Sequence, residues 1–356
     1  MLRSVWGALA LAASLGCGPQ FSPFWLIEPD PTGADGQLDP SGKLRVLALR
    51  ADPPEARPGE LVTVRALAVT HPQQGTVVTV DGVSRHTPQP LGLTALWFTC
   101  REPQGAAAPE PCSLGQSGPS LALAELPSLP LAPIAQLAGP ATQLVLPSEP
   151  TLPYTQLVTL VVADQAQPGG AQGCYEQALS SGGVVSSPNH CVVAIKRIRV
   201  SASAQPNRNP EIGRLLFGPS PDQVTELGPG GADGTYPLLD PATGDDERPQ
   251  LTLAVERAAD AVEVGSDSDG NPQNETLSAT FLTTGGTLEA GRGTFLDLDC
   301  ADNPQSCRQS LRSDISWQPP AARAAVEAPE QLIYFFAVLR DDRGGLSVAS
   351  ASVGGR

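Results

Sequence analysis

Residues 44–69 read LRVLALRADPPEARPGELVTVRALAV, and this stretch limits the fold more than any other feature of the chain. Apolar and polar side chains alternate with a period of two, which suits a half-buried strand and not a helix. The alternation stops at Pro53-Pro54, turns at Pro58-Gly59 and resumes from Leu61 to Val69. The same pattern recurs at 76–80 (TVVTV), 93–99 (LTALWFT), 156–163 (QLVTLVVA) and 192–203 (VVAIKRIRVSAS). With 37 prolines and 36 glycines in 356 residues, breaks fall too often for long helices. An all-β chain is therefore expected, with residues 44–204 as one antiparallel sandwich and Trp97 in the core between its sheets.

Residues 205–211, within QPNRNPEI, read as a linker, and a second strand series follows over 212–353. Its members are IGRLLF, PQLTLAVE, ETLSATFLT, RGTFLDLD, DISWQP, QLIYFFAVLR and GLSVASASV. Some seven short strands separated by turns are the pattern of an Ig-like sandwich. The last two are joined by DDRGG, where Gly344 and Gly345 are expected to take the positive φ of a tight hairpin. Between them the two series predict two sandwiches in tandem. Residues 101–153 interrupt the first with prolines every few residues, and this insertion is the expected seat of binding specificity.

The beginning of the chain carries an address. Arg3 precedes an apolar run, Val5 to Leu15, too short to span a bilayer but suited to a secretory leader. Ser14-Leu15-Gly16-Cys17 resembles a bacterial lipobox, with Ser14 where Leu is usual. That resemblance implies removal of residues 1–16 and acylation of Cys17, whose two or three chains would hold the body at a membrane. Gly18 after the cysteine matches an outer-membrane destination, periplasmic or surface-facing. Residues 17–43 form a tether rich in Pro, Gly and Asp, with an apolar knot at Phe21, Phe24, Trp25, Leu26 and Ile27 that either docks on the body or rests at the membrane.

Six further cysteines lie in three close pairs, Cys100 with Cys112, Cys174 with Cys191 and Cys300 with Cys307. Proximity and export favour these pairings as disulfides. Zinc is disfavoured, since no C-x-x-C occurs and only His190 neighbours a cysteine. Asp267, Asp269 and Asn271 in DSDGN have the opening spacing of a calcium loop. Pro272 and Ser278 stand where that loop needs Gly and Glu, so a hairpin turn is the expected reading and calcium a weak one. The acidic DLDCADNPQSC segment, with Asp297, Asp299 and Asp302, reads as a stapled, solvated loop.

Catalysis finds little support in the sequence. Its three histidines, His71, His86 and His190, sit in polar or Pro-rich contexts, and no G-x-S-x-G, H-E-x-x-H or P-loop occurs. Ser117 within Gly115–Gly118 lacks the strand–turn–helix setting of a nucleophile. The net charge of −15, with only Lys43 and Lys196 as lysines, argues against nucleic acid as a partner. No cofactor is expected.

Two resemblances add to this. SDSDGNPQNETLSATF, GGTLEAGRGTF, ISWQPP and YFFAVLRDDRGGLSVASASV, in that order, resemble bacterial PKD-like and Ig-like extracellular modules, with Phe281 in place of their usual Tyr-x-Trp. The front half, from CGPQFSPF to LWFTC, resembles cell-surface lipoproteins abundant in myxobacteria. These imply location and architecture, an anchored, disulfide-stapled β protein of the envelope, and bring no activity with them. The expected role is non-catalytic binding or scaffolding there, through a protein or polysaccharide partner. A structural accessory subunit of an envelope-spanning machine is the alternative, with a carbohydrate-active enzyme behind it.

Overall fold

The structure, a computed structural model, describes residues 44–69, 76–80, 83–87, 94–101, 121–125, 141–146, 152–164, 166–180, 190–227, 238–239, 249–266, 272–283, 285–295, 310–319 and 331–355. In chain order the first elements are β1 (Arg45–Asp52), β2 (Glu55–Ala56), β3 (Leu61–Val69), β4 (Thr76–Val80), β5 (Val83–Thr87), β6 (Thr94–Arg101), β7 (Leu121–Glu125), β8 (Ala141–Val145), β9 (Tyr154–Ala163), α1 (Gly170–Ser180) and β10 (Cys191–Val200). There follow β11 (Ile212–Gly218), β12 (Thr225–Glu226), β13 (Leu238–Leu239), β14 (Leu251–Arg257), β15 (Val264–Ser266), β16 (Pro272–Asn274) and β17 (Ser278–Thr283). The last are β18 (Thr287–Leu288), β19 (Arg292–Thr294), β20 (Arg312–Gln318), β21 (Gln331–Arg340) and β22 (Leu346–Gly355). Among the described residues the chain is all-β apart from one helix.

A sheet of order β1-β3-β8 faces one of order β2-β10-β9-β6-β7. The inward residues of the alternating strands fill the space between them: Val62, Val64 and Ala66 from β3, Val158, Leu160 and Val162 from β9, and Ala194, Ile198 and Val200 from β10. Trp97 lies there too, 1% exposed, where the sequence places it, and its Nε1 has no hydrogen-bond partner. The Pro-rich stretch 101–153 is more than an excursion, because β7 pairs with β6 and β8 pairs with β3, and Leu144 and Leu146 enter this core. Apolar residues in that stretch serve the sandwich itself.

The outer face of the five-stranded sheet is covered by α1, which the strand reading omits. Ala171, Cys174 and Tyr175 fall at i, i+3 and i+4, the stripe of an amphipathic helix, and pack on Leu96, Phe98, Leu157 and Ile195. Thr94 Oγ1 accepts the Ala171 N–H at 2.7 Å, so a neighbouring strand satisfies a donor at the helix start. A disulfide joins Cys174 to Cys191 across a Cα–Cα distance of 5.9 Å, pinning the helix to β10. Cys100 is disulfide-bonded as well, to a residue outside the described segments.

In the second half a sheet of order β12-β11-β14-β20-β18 faces one of order β13-β22-β21-β17-β19. Phe217, Trp317 and Phe335 form an aromatic cluster between them, with ring centroids 5.0–5.7 Å apart. Trp317 Nε1 donates to Gly285 O at 3.0 Å, and Gly286 (φ +77°) lies so close to the indole that a Cβ there would clash. β15 and β16 pair antiparallel on either side of 267–271, as the hairpin reading requires.

The two halves are stacked rather than strung out. Leu47, Ala48 and Leu67, on the outer face of β1 and β3, meet Leu282, Phe336, Val338 and Leu346, on the outer face of β17, β21 and β22. Four sheets thus lie in layers with apolar contacts in each of the three spaces between them.

Candidate functional site

The edge of that middle layer holds the densest charged cluster among the described residues. It forms where β2, residues 201–211 and the turn between β21 and β22 converge. Glu55, 3% exposed, accepts three hydrogen bonds: Ser201 Oγ at 2.6 Å, Asn207 N at 2.9 Å and Arg343 Nη2 at 3.0 Å. The other edge of the Arg343 guanidinium meets Glu275, 2% exposed, through Nη1–Oε1 at 2.7 Å, with Glu263 Oε2 at 3.7 Å. One arginine therefore bridges a carboxylate of the first half and two of the second.

The residues read as a linker are built into this joint. Asn207 is fully buried and donates Nδ2 to both Asp341 oxygens, at 3.2 and 3.4 Å, while its Oδ1 has no partner. Asn209 donates to Ala51 O at 2.8 Å and accepts from Leu346 N at 2.9 Å, so its side chain ties β1 to β22. Arg208 pairs with Glu263. The Asp341 carboxylate organises the turn by accepting the N–H groups of Arg343 (2.9 Å) and Gly345 (2.7 Å). Of the two expected hairpin glycines only Gly344 has positive φ (+103°). Gly345 is required for space instead, since a Cβ would fall 2.7 Å from Arg208 O and 2.9 Å from Pro210 Cδ.

Lys196 is the least expected member. On β10 it falls at the inward parity of Ala194 and Ile198, and its ammonium, 1% exposed, donates to Gly344 O of the second half at 2.6 Å. A lysine at a core-parity position in VVAIKRIRV was the sequence signal for this joint. Glu55, Asn207 and Arg343 carried no comparable one.

Burial sets the charges in opposite directions. Desolvation lowers Lys196 to about 8, partly offset by Asp341, and leaves it an ammonium at neutral pH. Burial, with Asp341 and Glu263 nearby, raises Glu275 to about 7 although Arg343 opposes it, and burial raises Asp341 as well. Burial pushes Glu55 up too, but its hydrogen bonds from Ser201 and Asn207 and the charge of Arg199 outweigh that and hold it below an ordinary glutamate.

A pH dependence follows for Glu275. The folded chain keeps that proton between the ordinary value of 4.5 and about 7, whereas the unfolded chain has lost it. The contribution is fully present below the lower value and is lost as pH rises through the upper one. Its size is on the order of 3 kcal/mol. Glu275→Gln is expected to remove this slope while keeping an acceptor for Arg343. Urea unfolding of both proteins at pH 5 and pH 8 measures it, and parallel behaviour of the two across that range would refute it.

Elsewhere, His190 Nδ1 lies 2.8 Å from Asp164 Oδ2 beside the Cys174–Cys191 bond. No group of three His, Cys, Asp or Glu among the described residues is arranged to hold a metal. Cys17, Cys112, Cys300 and Cys307, the calcium candidates Asp267, Asp269 and Asn271, the acidic trio Asp297, Asp299 and Asp302, and His71 and Ser117 lie outside the described residues. No helix among the described residues is long and apolar enough to cross a membrane.

No family model matches the chain, and no curated protein does. Among solved structures, the crystal structure of a Salmonella alpha-2-macroglobulin mutant is similar at 8% identity, covering 89% of this chain and 17% of that one, with a TM-score of 0.24. A likeness that small carries no argument about fold or role.

Proposed function

We propose that the chain is a non-catalytic lipoprotein of the bacterial cell envelope, anchored at the outer membrane through acyl chains on Cys17, that works by binding or scaffolding. The observation that carries the scaffolding reading is the joint. An apolar layer and a Glu55–Arg343–Glu275 bridge with buried carboxylates hold the two halves in one relative orientation, so the body offers a partner faces of constant geometry. The anchor is supported by the leader, the Gly16-Cys17 boundary and a seventh cysteine left over from three close pairs. In its finer form the fold is two Ig-like sandwiches, supported by the paired facing sheets and the buried Trp97 and Trp317. The same rigid joint favours one further reading, a spacer subunit of a larger envelope assembly. Calcium at Asp267, Asp269 and Asn271 remains a weak candidate, and the other two disulfides are proposed as Cys100–Cys112 and Cys300–Cys307.

Fractionation and intact mass test the proposal. The native product is expected in the membrane fraction, beginning at Cys17 and carrying at least two acyl chains, and Cys17→Ala is expected to abolish the acylation. An unacylated native product would defeat the anchor reading. Crosslinking in intact cells separates the roles: stoichiometric capture of a multi-protein assembly indicates a spacer, and one dominant protein or polysaccharide indicates a binder.

A further inference from the structure

The stacking of the halves covers only part of the outer face of the β1-β3-β8 sheet. Beyond Leu47, Ala48 and Leu67 that face continues into open surface, and its composition is unusual for a chain of charge −15. Arg50 and Arg65 lie directly opposite each other across β1 and β3. Like charges in that position repel. Arg50 has a loose contact with Asp52 at 3.8 Å, and Arg65 is exposed with no ion pair to any described residue. Further along, Leu61 and Val145 are also direct partners, across β3 and β8, and are 51% and 66% exposed. From the end where β1 begins, the face therefore presents two cations, then Asp52 beside Thr63 and Gln143, then two aliphatic side chains.

One segment of this chain has the complementary order. Read backwards from Leu44, where the tether meets β1, it offers Asp39 and Asp35, then Asp30 and Glu28, then the apolar run Ile27, Leu26, Trp25, Phe24 and Phe21. At about 3.3 Å per residue, Arg50 is roughly 20 Å along β1 from Leu44 and the Leu61–Val145 pair some 13 Å farther. The 13 residues 31–43 can span up to about 43 Å. Reach and sequence order both fit. We propose that residues 21–30, FSPFWLIEPD, dock on this outer face, with Glu28 and Asp30 against Arg50 and Arg65 and the apolar run against Leu61 and Val145. The docked tether relieves the arginine pair, removes the apolar run from water and shortens the link between body and anchor. The interaction needs no lipid, so it stands or falls separately from the envelope reading.

A benzophenone amino acid placed at position 145 of the purified full chain tests this. Irradiation is expected to give an intramolecular crosslink to a peptide containing residues 21–27, with a yield independent of protein concentration. Arg50→Glu with Arg65→Glu is expected to lower that yield about threefold or more, as loss of two exposed ion pairs should. Adding Glu28→Arg with Asp30→Arg is expected to restore it, a rescue that a folding defect would not show. A concentration-dependent dimer crosslink, capture of phospholipid alone when vesicles are added, or a yield indifferent to the charge reversal would each overturn the proposal.

Discussion

Arg343→Ala is expected to destabilise the protein by about 3–5 kcal/mol, far more than loss of an exposed ion pair would. Among the described residues the guanidinium is the one cation in contact with both Glu55 and Glu275, and each of those carboxylates is almost completely buried. Truncation removes that charge from beside two carboxylates that are almost out of contact with solvent. Glu55 keeps its hydrogen bonds from Ser201 and Asn207, so the larger share of the cost falls on Glu275. Combining Arg343→Ala with Glu275→Gln is therefore expected to recover part of the loss, because the second change removes the stranded charge. Arg343→Lys should lie between wild type and Ala, since an ammonium cannot reach both carboxylates with two separate edges. Chemical denaturation of the wild type, Arg343→Ala, Glu275→Gln and the double variant gives the cycle, with Arg343→Lys measured beside it. A change below about 0.5 kcal/mol for Arg343→Ala would mean that the bridge contributes no more than a solvated surface pair.

Phe336→Ala is expected to split thermal unfolding into two transitions. Phe336 is 2% exposed and belongs to the layer between the halves, whereas Phe335, its neighbour on β21, points the other way into the aromatic cluster with Trp317. Each substitution should cost about 3–5 kcal/mol, the usual penalty for emptying a buried phenylalanine site. They differ in where the cost falls. Phe335→Ala weakens the second half itself and should lower its melting while leaving the joint closed. Phe336→Ala leaves both inner cores intact and weakens only their contact, so calorimetry should show the halves melting separately. Residues 201–211 should then become open to protease, because Asn207 and Asn209 lose the turn that holds them. A single transition in the Phe336→Ala protein, shifted no further than for Phe335→Ala, would show that the middle layer does not couple the halves.

Strand positions were largely legible because period-two alternation and proline breaks are local signals. β3 and β4 begin and end where the pattern does, at Leu61–Val69 and Thr76–Val80, and β21 spans Gln331–Arg340 as read. The helix was missed because its stripe of Ala171, Cys174 and Tyr175 is short and sits in a Gly-rich stretch whose apolar face is completed only by Phe98 and Leu157 from distant strands. The joint was missed for a deeper reason. Leu47, Leu67, Phe336 and Val338 occupy the face of their strands that a lone sandwich would expose, and alternation cannot say whether a second sheet covers that face. QPNRNPEI has the composition of a free connector, yet Asn207 is fully buried through partners more than 130 residues away in sequence. Polarity in a short segment marks hydrogen-bonding capacity, and here that capacity is used inward.

The position of β1 also determines how the molecule would bear mechanical load. β1 ends its sheet but lies between layers: one face meets the first core and part of the other meets β17, β21 and β22. Tension arriving at Leu44 would enter between two sandwiches, and peeling β1 away would strip its ladder to β3 and rupture the shared apolar seam in the same event. A body pulled through its central ply resists as one piece, while one pulled through an outer strand would unravel half at a time.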